Sequence, residues 1–259
     1  MKVGLNLFSI RSYIKTEQEF LSTAKKLKEG GYDYLQFSGA PFDSEIIKRV
    51  AKKSGLKIYL THVPIERIIN DTQKLMDEHE SFGCKNIGLG MMPIECFFNK
   101  DSLIEKVALL NEAGRQMAKR GFKLFYHHHH FEFIKLMDNK TVMEYMLENA
   151  EYINFTVDTY WLQYGGADIL AWIKKLSGKI ECAHLKDYCI SSKIGDDNKP
   201  EIKPNFAPVG SGVLDFKKII PALKRAGVKY FFVEQDDADG YEDAFGQVLQ
   251  SVNYIKSNF

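Results

Sequence analysis

The sequence predicts an α/β protein, a single (β/α)8 barrel, on three observations. Short apolar runs alternate with longer amphipathic segments eight times, a glycine repeatedly joins segment to run, and 259 residues is the size of eight strand and helix units. Strict alternation implies parallel strands linked by right-handed crossovers. With 45% hydrophobic side chains there is material for a large core, and no low-complexity linker divides the chain, so one domain over 1–259 is expected.

The elements follow in order. VGLNLF at 3–8 is the first strand, and Thr16 with Glu19 forms a capping box for a helix over 16–28. Gly31 precedes YDYLQF, Gly55 precedes LKIYL, Gly83 precedes CKNIGL, Gly121 precedes FKLFY, Gly178 precedes KIECAHL and Gly227 precedes VKYFFVE. Glycine just past a helix takes the left-handed cap without steric cost, so each glycine marks a helix end and a strand start. YINFTVD at 152–158 completes eight strands. Helices are expected over 43–53, 65–81, 101–120, 140–149, 167–176 and 241–255, with another opened by Asp215 and closed by Gly227. An open doubly wound sheet is the runner-up, but it would bring a glycine-rich loop after the first strand, and LFSIRSYI has none. One long irregular segment, Tyr188 to Leu214, separates the seventh strand from its helix and is read as a lid or pocket wall.

Charge and cysteine usage narrow the function. Thirty-five Lys and Arg against thirty-four Asp and Glu leave +1, so no positive field is available for nucleic acid. The four cysteines lack CxxC spacing and are read as reduced thiols. Neither a signal-peptide core nor a membrane-spanning run is present, so a cytoplasmic protein is expected.

Ligand sites of such barrels lie where the strands end at their C-termini, so polar residues ending the apolar runs are the candidates. The third run ends in Thr61-His62, the fifth in Tyr126 and four histidines, the sixth in Asp158, the seventh in His184 to Asp187 and the eighth in Glu234 to Asp237. Alternation along YINFTVD puts Asp158 on the polar face, aimed at the mouth, although helix N-capping is its competing role. In the histidine run, His127 and His129 share one face, and His128 and His130 the other. His127, Asp158, His184 and Glu234 together would make a mixed nitrogen and oxygen cage for one divalent ion, Mn2+, Co2+, Fe2+, Zn2+ or Mg2+.

VGLNLFSIR, YHHHHFEF, VDTYW, AHLKDY, PVGSGVLDF and FFVEQD, in this order, resemble the sugar phosphate isomerase/epimerase family of the xylose isomerase-like TIM-barrel superfamily. The resemblance implies a metal held by residues ending strands five to eight, with Asp158, His184 and Glu234 at the matching positions. Many ketose epimerases and inosose isomerases of the superfamily carry glutamate on strand five, where this chain has His127; its nearest carboxylate, Glu132, comes five residues later.

The expected chemistry is proton transfer next to a metal-polarised carbonyl of a sugar, keto-sugar or polyol derivative, giving isomerisation or epimerisation. Glu234 is expected to move the proton, with His129 as the second transfer group and Lys186 stabilising oxyanion charge or binding a hydroxyl. His62 and Glu95, read as ending strands three and four, Trp161 and Arg11 are expected to touch substrate. Val209 to Gly212 could offer N–H groups to an anion, yet an unphosphorylated carbohydrate is favoured. Dehydration of an inosose or 3-keto sugar is the alternative, followed by an apurinic endonuclease and a non-catalytic sugar-binding barrel. Homo-oligomers are compatible with the sequence, and no membrane partner is expected.

Overall fold

Eight short strands close into one parallel barrel in the computed structural model, which describes residues 1–194 and 198–259. They are β1 (Gly4–Asn6), β2 (Tyr34–Phe37), β3 (Lys57–His62), β4 (Asn86–Leu89), β5 (Lys123–His127), β6 (Ile153–Asp158), β7 (Ile180–Leu185) and β10 (Tyr230–Val233). Closure comes from β1, which pairs with β2 on one side and β10 on the other. The expected elements form within a few residues, since the amphipathic stripes and the caps act together. Thr16 and Glu19 do make a capping box for α1 (Glu17–Glu29), and Gly55 and Gly227 close their helices in the left-handed conformation.

Three departures stand out. The helix expected over 65–81 breaks at Asp71 into α3 (Ile65–Asn70) and α4 (Thr72–Ser81). A short helix, α7 (Thr159–Tyr164), follows β6 ahead of α8 (Ile169–Lys175), because the Asp158 carboxylate caps it. The segment read as irregular contains an antiparallel hairpin of β8 (Asp187–Ile194) and β9 (Pro200–Ala207), paired from Asp187 with Ala207 to Ile194 with Pro200. Its three prolines suggested a loop, but a two-stranded ribbon has free edges where proline needs no ladder partner. The hairpin brings Phe206 against Tyr160 and Trp161, beside the barrel mouth.

Inward-facing side chains form two layers. Tyr34, Leu60, Phe125, Cys182 and Phe232 plug the lower barrel as a buried cluster. Two residues further along these strands stand Gln36, His62, His127, His184 and Glu234, joined by Asn6 from β1 and Asp158 from β6. Side chains two apart on a strand share a face, so an apolar plug followed by polar residues puts the polar layer on a dry floor at the C-terminal rim.

Candidate metal centre

Register sets the geometry. Asp158 pairs directly with His184, and His127 with Thr156 on the neighbouring strand, while the Glu234 backbone N–H donates to Leu185 O at 3.1 Å. Four side chains thereby meet, each offering one ligand atom, and those atoms all lie within 4.8 Å of one another. They are His127 Nε2, Asp158 Oδ2, His184 Nδ1 and Glu234 Oε2. All four are buried, and none of them has a hydrogen-bond partner among the described residues.

The remaining polar atoms of these side chains are taken by the protein in ways that fix which lone pair faces the centre. His127 Nδ1 lies 3.1 Å from Gly90 O, and His184 Nε2 lies 2.8 Å from Gln36 Oε1. Both partners are acceptors, so each ring carries its proton there and presents its other nitrogen unprotonated. Glu234 Oε1 accepts from Asn6 Nδ2 at 2.6 Å, and Asp158 Oδ1 accepts from Trp161 N–H at 2.8 Å. Asp158 therefore fills both roles that the sequence left in competition, one oxygen capping α7 and the other facing the centre. A His184 lone pair 2.8 Å from a Glu234 oxygen repels it unless positive charge lies between or beside them. The four atoms could hold a metal ion.

Lys186, buried beside them, is the local positive charge. Its Nζ is 3.0 Å from Glu234 Oε2, 3.4 Å from Asp158 Oδ2 and 2.9 Å from Asp236 Oδ1. Burial opposes its charge, but those three carboxylates outweigh burial and raise its pKa above the ordinary lysine value. Burial likewise pushes Glu234 and Asp158 upward, but the Lys186 ammonium and the neighbouring histidines together more than reverse this, so both lie below the usual carboxylate range. Asp236 goes the other way, pushed up to about 6 by burial. His62 is held well below the ordinary histidine value by burial and by the neighbouring His127 and His184 rings.

His127 and His129 share a face as alternation expected, whereas His130, beyond the end of β5, packs on the same indole as His129. His127 and His129 line a cavity of about 420 Å3 above the centre, together with His62, Lys186, Glu234 and Asp236. His128 faces outward, where its Nε2 accepts from the Asp158 backbone N–H at 3.1 Å and burial pulls its pKa down to about 4. His130 stacks on Trp161. Glu132 is buried and structural, accepting from the Tyr126 hydroxyl and from His129 N–H.

Glu95, Trp161 and Arg11 do not line the central cavity. Glu95 does not end β4; it is exposed on a 3-10 turn, Ile94–Phe97, beyond the strand and away from the cavity wall. Trp161 packs on His129 and His130 behind the cavity, with Lys186 Nζ 5.1 Å from its ring. Arg11 is tied to the carbonyls of Phe8 and Asp236 and lines a neighbouring cavity. The N–H groups of Gly210, Gly212 and Leu214 do bind an anion, but it is the Asp187 carboxylate, at 2.9–3.2 Å. A Cβ on Gly212 would lie 2.4 Å from Asp187 Oδ1, so this cradle is closed to an external phosphate. Asn6, Gln36 and Asp236 were missed. For Asp236 the signal was present, since it stands two residues after Glu234 on the same strand end.

The family model described as xylose isomerase-like TIM barrel matches residues 24–257. The chain belongs to this family. Among curated relatives it is similar to an inosose dehydratase of Geobacillus thermodenitrificans, 26% identical over 249 residues, covering 83% of this chain and 81% of the relative. Among solved structures it superposes on a sugar phosphate isomerase/epimerase of Parabacteroides distasonis at 22% identity with a TM-score of 0.80, covering 99% and 93% of the two chains. A xylose isomerase-like barrel of Mycobacterium smegmatis in complex with magnesium has 15% identity and a TM-score of 0.71, covering 99% and 95%. In this family's barrel, the polar layer described above stands at the C-terminal rim, where barrel enzymes place their chemistry.

Proposed function

We propose that the protein is a metal-dependent enzyme that removes a proton next to the carbonyl of a keto-sugar or keto-polyol. The observation that carries this is the set of four buried donor atoms without hydrogen-bond partners, aimed at one point beneath a carbohydrate-sized cavity. Two imidazoles and two carboxylates with no thiolate suit Mn2+, Co2+, Fe2+, Zn2+ or Mg2+. Such an ion, when bound, supplies Lewis-acid polarisation of the substrate carbonyl and stabilises enolate charge.

The chain's own groups account for the rest. Lys186 is held as an ammonium at the cavity wall, where it donates hydrogen bonds to developing oxyanion charge. Glu234 has one oxygen bound by Asn6 and the other in the donor set, so we assign it to holding the ion rather than to moving the proton. Asp236, which lines the cavity with Oδ1 paired to the Lys186 ammonium, and His129, whose Nδ1 has no hydrogen-bond partner among the described residues, are the proton-transfer groups. His62 and Lys186 bind substrate hydroxyls.

Loss of water is the outcome the site favours. Epimerisation of the paired-carboxylate kind needs a second carboxylate opposite Glu234, and strand five gives His127 there while Glu132 is turned into the wall. The curated relatives named inosose dehydratase point the same way. Isomerisation or epimerisation is the second reading, supported by the fold of the isomerase/epimerase neighbour. The test is incubation of the Mn2+-loaded protein in deuterated water with inososes and keto-sugars, followed by mass spectrometry. Loss of 18 mass units identifies dehydration; deuterium gain without loss identifies isomerisation or epimerisation. No exchange in any carbonyl substrate would refute the proposal.

A further inference from the structure

The mouth of the barrel holds a second cavity beside the first. It has a volume of about 550 Å3 and is lined by Arg11, Ser12, Lys15, Gly39, Pro41 and Asp239. Gly39 lines both cavities, so they meet at the end of β2.

Arg11 stands at this junction and is fixed in place. Its Nη1 donates to Phe8 O at 2.8 Å and to Asp236 O at 3.0 Å, and the side chains of both residues line the central cavity. Its guanidinium also lies 4.4 Å from the centre of the Phe8 ring. The end of β2 accommodates it through Gly39, where φ is +84° and a Cβ would come within 2.9 Å of Arg11 Cβ. The anchoring occupies Nη1 and leaves the donors of Nε and Nη2 uncommitted.

No carboxylate pairs with Arg11 or Lys15 among the described residues. The acid in the cavity wall, Asp239, is already engaged by the Ser12 backbone N–H at 3.1–3.2 Å and by the Ser12 hydroxyl at 2.6 Å. A half-buried, pre-positioned guanidinium with free donors and a lysine beside it matches an oxyanion, since the arginine fork can bind two oxygens at once. Strand ends on both sides of the junction supply the catalytic layer, so a molecule whose carbonyl sits over the metal centre can extend directly into this space.

We propose that the second cavity receives a carboxylate or phosphate carried by the substrate itself, which makes the substrate an acidic keto-sugar or keto-polyol. This rests on the carbonyl chemistry proposed above and narrows it, departing from the uncharged inosose named for the curated relatives. Arg11 is the specificity-determining residue, with Lys15 contributing charge.

The experiment compares binding of D-glucitol, D-gluconate and D-glucitol 6-phosphate to the Mn2+-loaded protein by calorimetry at fixed ionic strength. At least one anionic probe is expected to bind about tenfold or more tighter than D-glucitol, and which one identifies the group. In Arg11→Gln the preference is expected to fall to within about twofold. Because Arg11 also ties two loops together, Lys15→Gln, on an exposed side chain, provides a second variant and is expected to reduce the preference about threefold. Equal binding of neutral and anionic probes, or a preference that survives both substitutions, overturns the inference. Solvent exchange separates this inference from the reading beneath it. Exchange into neutral keto-sugars without any anion preference would leave the carbonyl chemistry standing and remove the anion site. Arg11-dependent anion binding without exchange in any keto-acid or keto-phosphate would do the reverse, and absence of binding by all three probes would remove the anion site.

Discussion

Gln36 provides a demanding test of the metal centre, because it touches none of the four donor atoms. It is fully buried, its Oε1 is 2.8 Å from His184 Nε2, and its Nε2 is 3.1 Å from His62 Nε2. In Gln36→Leu, of similar size, the Nε2 proton of His184 would have no acceptor, and leaving a buried N–H unsatisfied costs about 1–3 kcal/mol. His184 escapes that cost by moving its proton to Nδ1, which can then donate to Glu234 Oε2 at 2.8 Å. The new tautomer satisfies a hydrogen bond and withdraws a lone pair from the donor set, so divalent-ion affinity is expected to fall about 10- to 100-fold. Gln36→Glu keeps an acceptor for Nε2 and is expected to retain Mn2+ affinity within about threefold. Calorimetric titration with Mn2+ measures both variants, and nitrogen NMR of the metal-free protein reads the His184 tautomer directly. If Gln36→Leu bound Mn2+ as tightly as the parent, with His184 still protonated at Nε2, the account of the site would be wrong.

Three further outcomes are expected. Removing the ion with a chelator should lower thermal stability, and restoring it at 100 times its Kd should return about 2.7 kcal/mol, measured by urea denaturation at both conditions. Asp187→Ala strips the acceptor from the N–H groups of Tyr188, Gly210, Gly212 and Leu214, and should destabilise the fold by about 2–4 kcal/mol, seen as a lower urea midpoint with unchanged slope. His79, buried between Thr61 Oγ1 and Leu75 O, has its pKa lowered by burial to about 4 from an ordinary 6.5. The unfolded chain therefore takes up the proton first as pH falls, so the stability contributed by neutral His79 is complete above about 6.5 and is lost progressively toward about 4, by up to ~3 kcal/mol. His79→Phe should shrink the difference in unfolding free energy between about pH 7.5 and about pH 4.5, and an unchanged difference would show that His79 does not contribute.

What was legible in the sequence followed two regularities. Glycine-terminated amphipathic helices gave the eight units, and the polar residues ending four neighbouring strands gave His127, Asp158, His184 and Glu234 as candidates for one site, because side chains on the inner face of a closed barrel converge at its rim. Asn6 and Gln36 escaped for a physical reason: an amide carries no charge and looks like any polar residue beside an apolar run, and its importance depends on cross-barrel partners more than 100 residues away. The Asp187 cradle escaped for a similar reason. PVGSG reads equally as a phosphate loop or a turn, and only the position of a carboxylate more than twenty residues earlier shows which anion the N–H groups serve. Glu95 was misplaced because its distance from the true end of β4 at Leu89 is set by a 3-10 turn with no periodic signature.

The substitution that most separates this chain from the paired-glutamate pattern also makes sense of its lysine. With an imidazole from strand five, the donor set contains only two carboxylates, Asp158 and Glu234, and their formal charge balances a divalent ion. Lys186 adds one positive charge in contact with both, which by itself would weaken cation binding, since at these separations like charges repel by several kcal/mol at low effective dielectric. Asp236 restores the balance, 2.9 Å from the same ammonium and outside the donor set. Lys186 and Asp236 thus form a neutral pair that can stand beside a bound cation without displacing it and still present an ammonium to an oxyanion. The pair is coupled by construction: Asp236→Asn should leave Lys186 facing the ion uncompensated and weaken Mn2+ binding, whereas the double variant with Lys186→Met should recover affinity. Such recovery in a double-mutant cycle would be the signature of charge balance, since two independent losses would add.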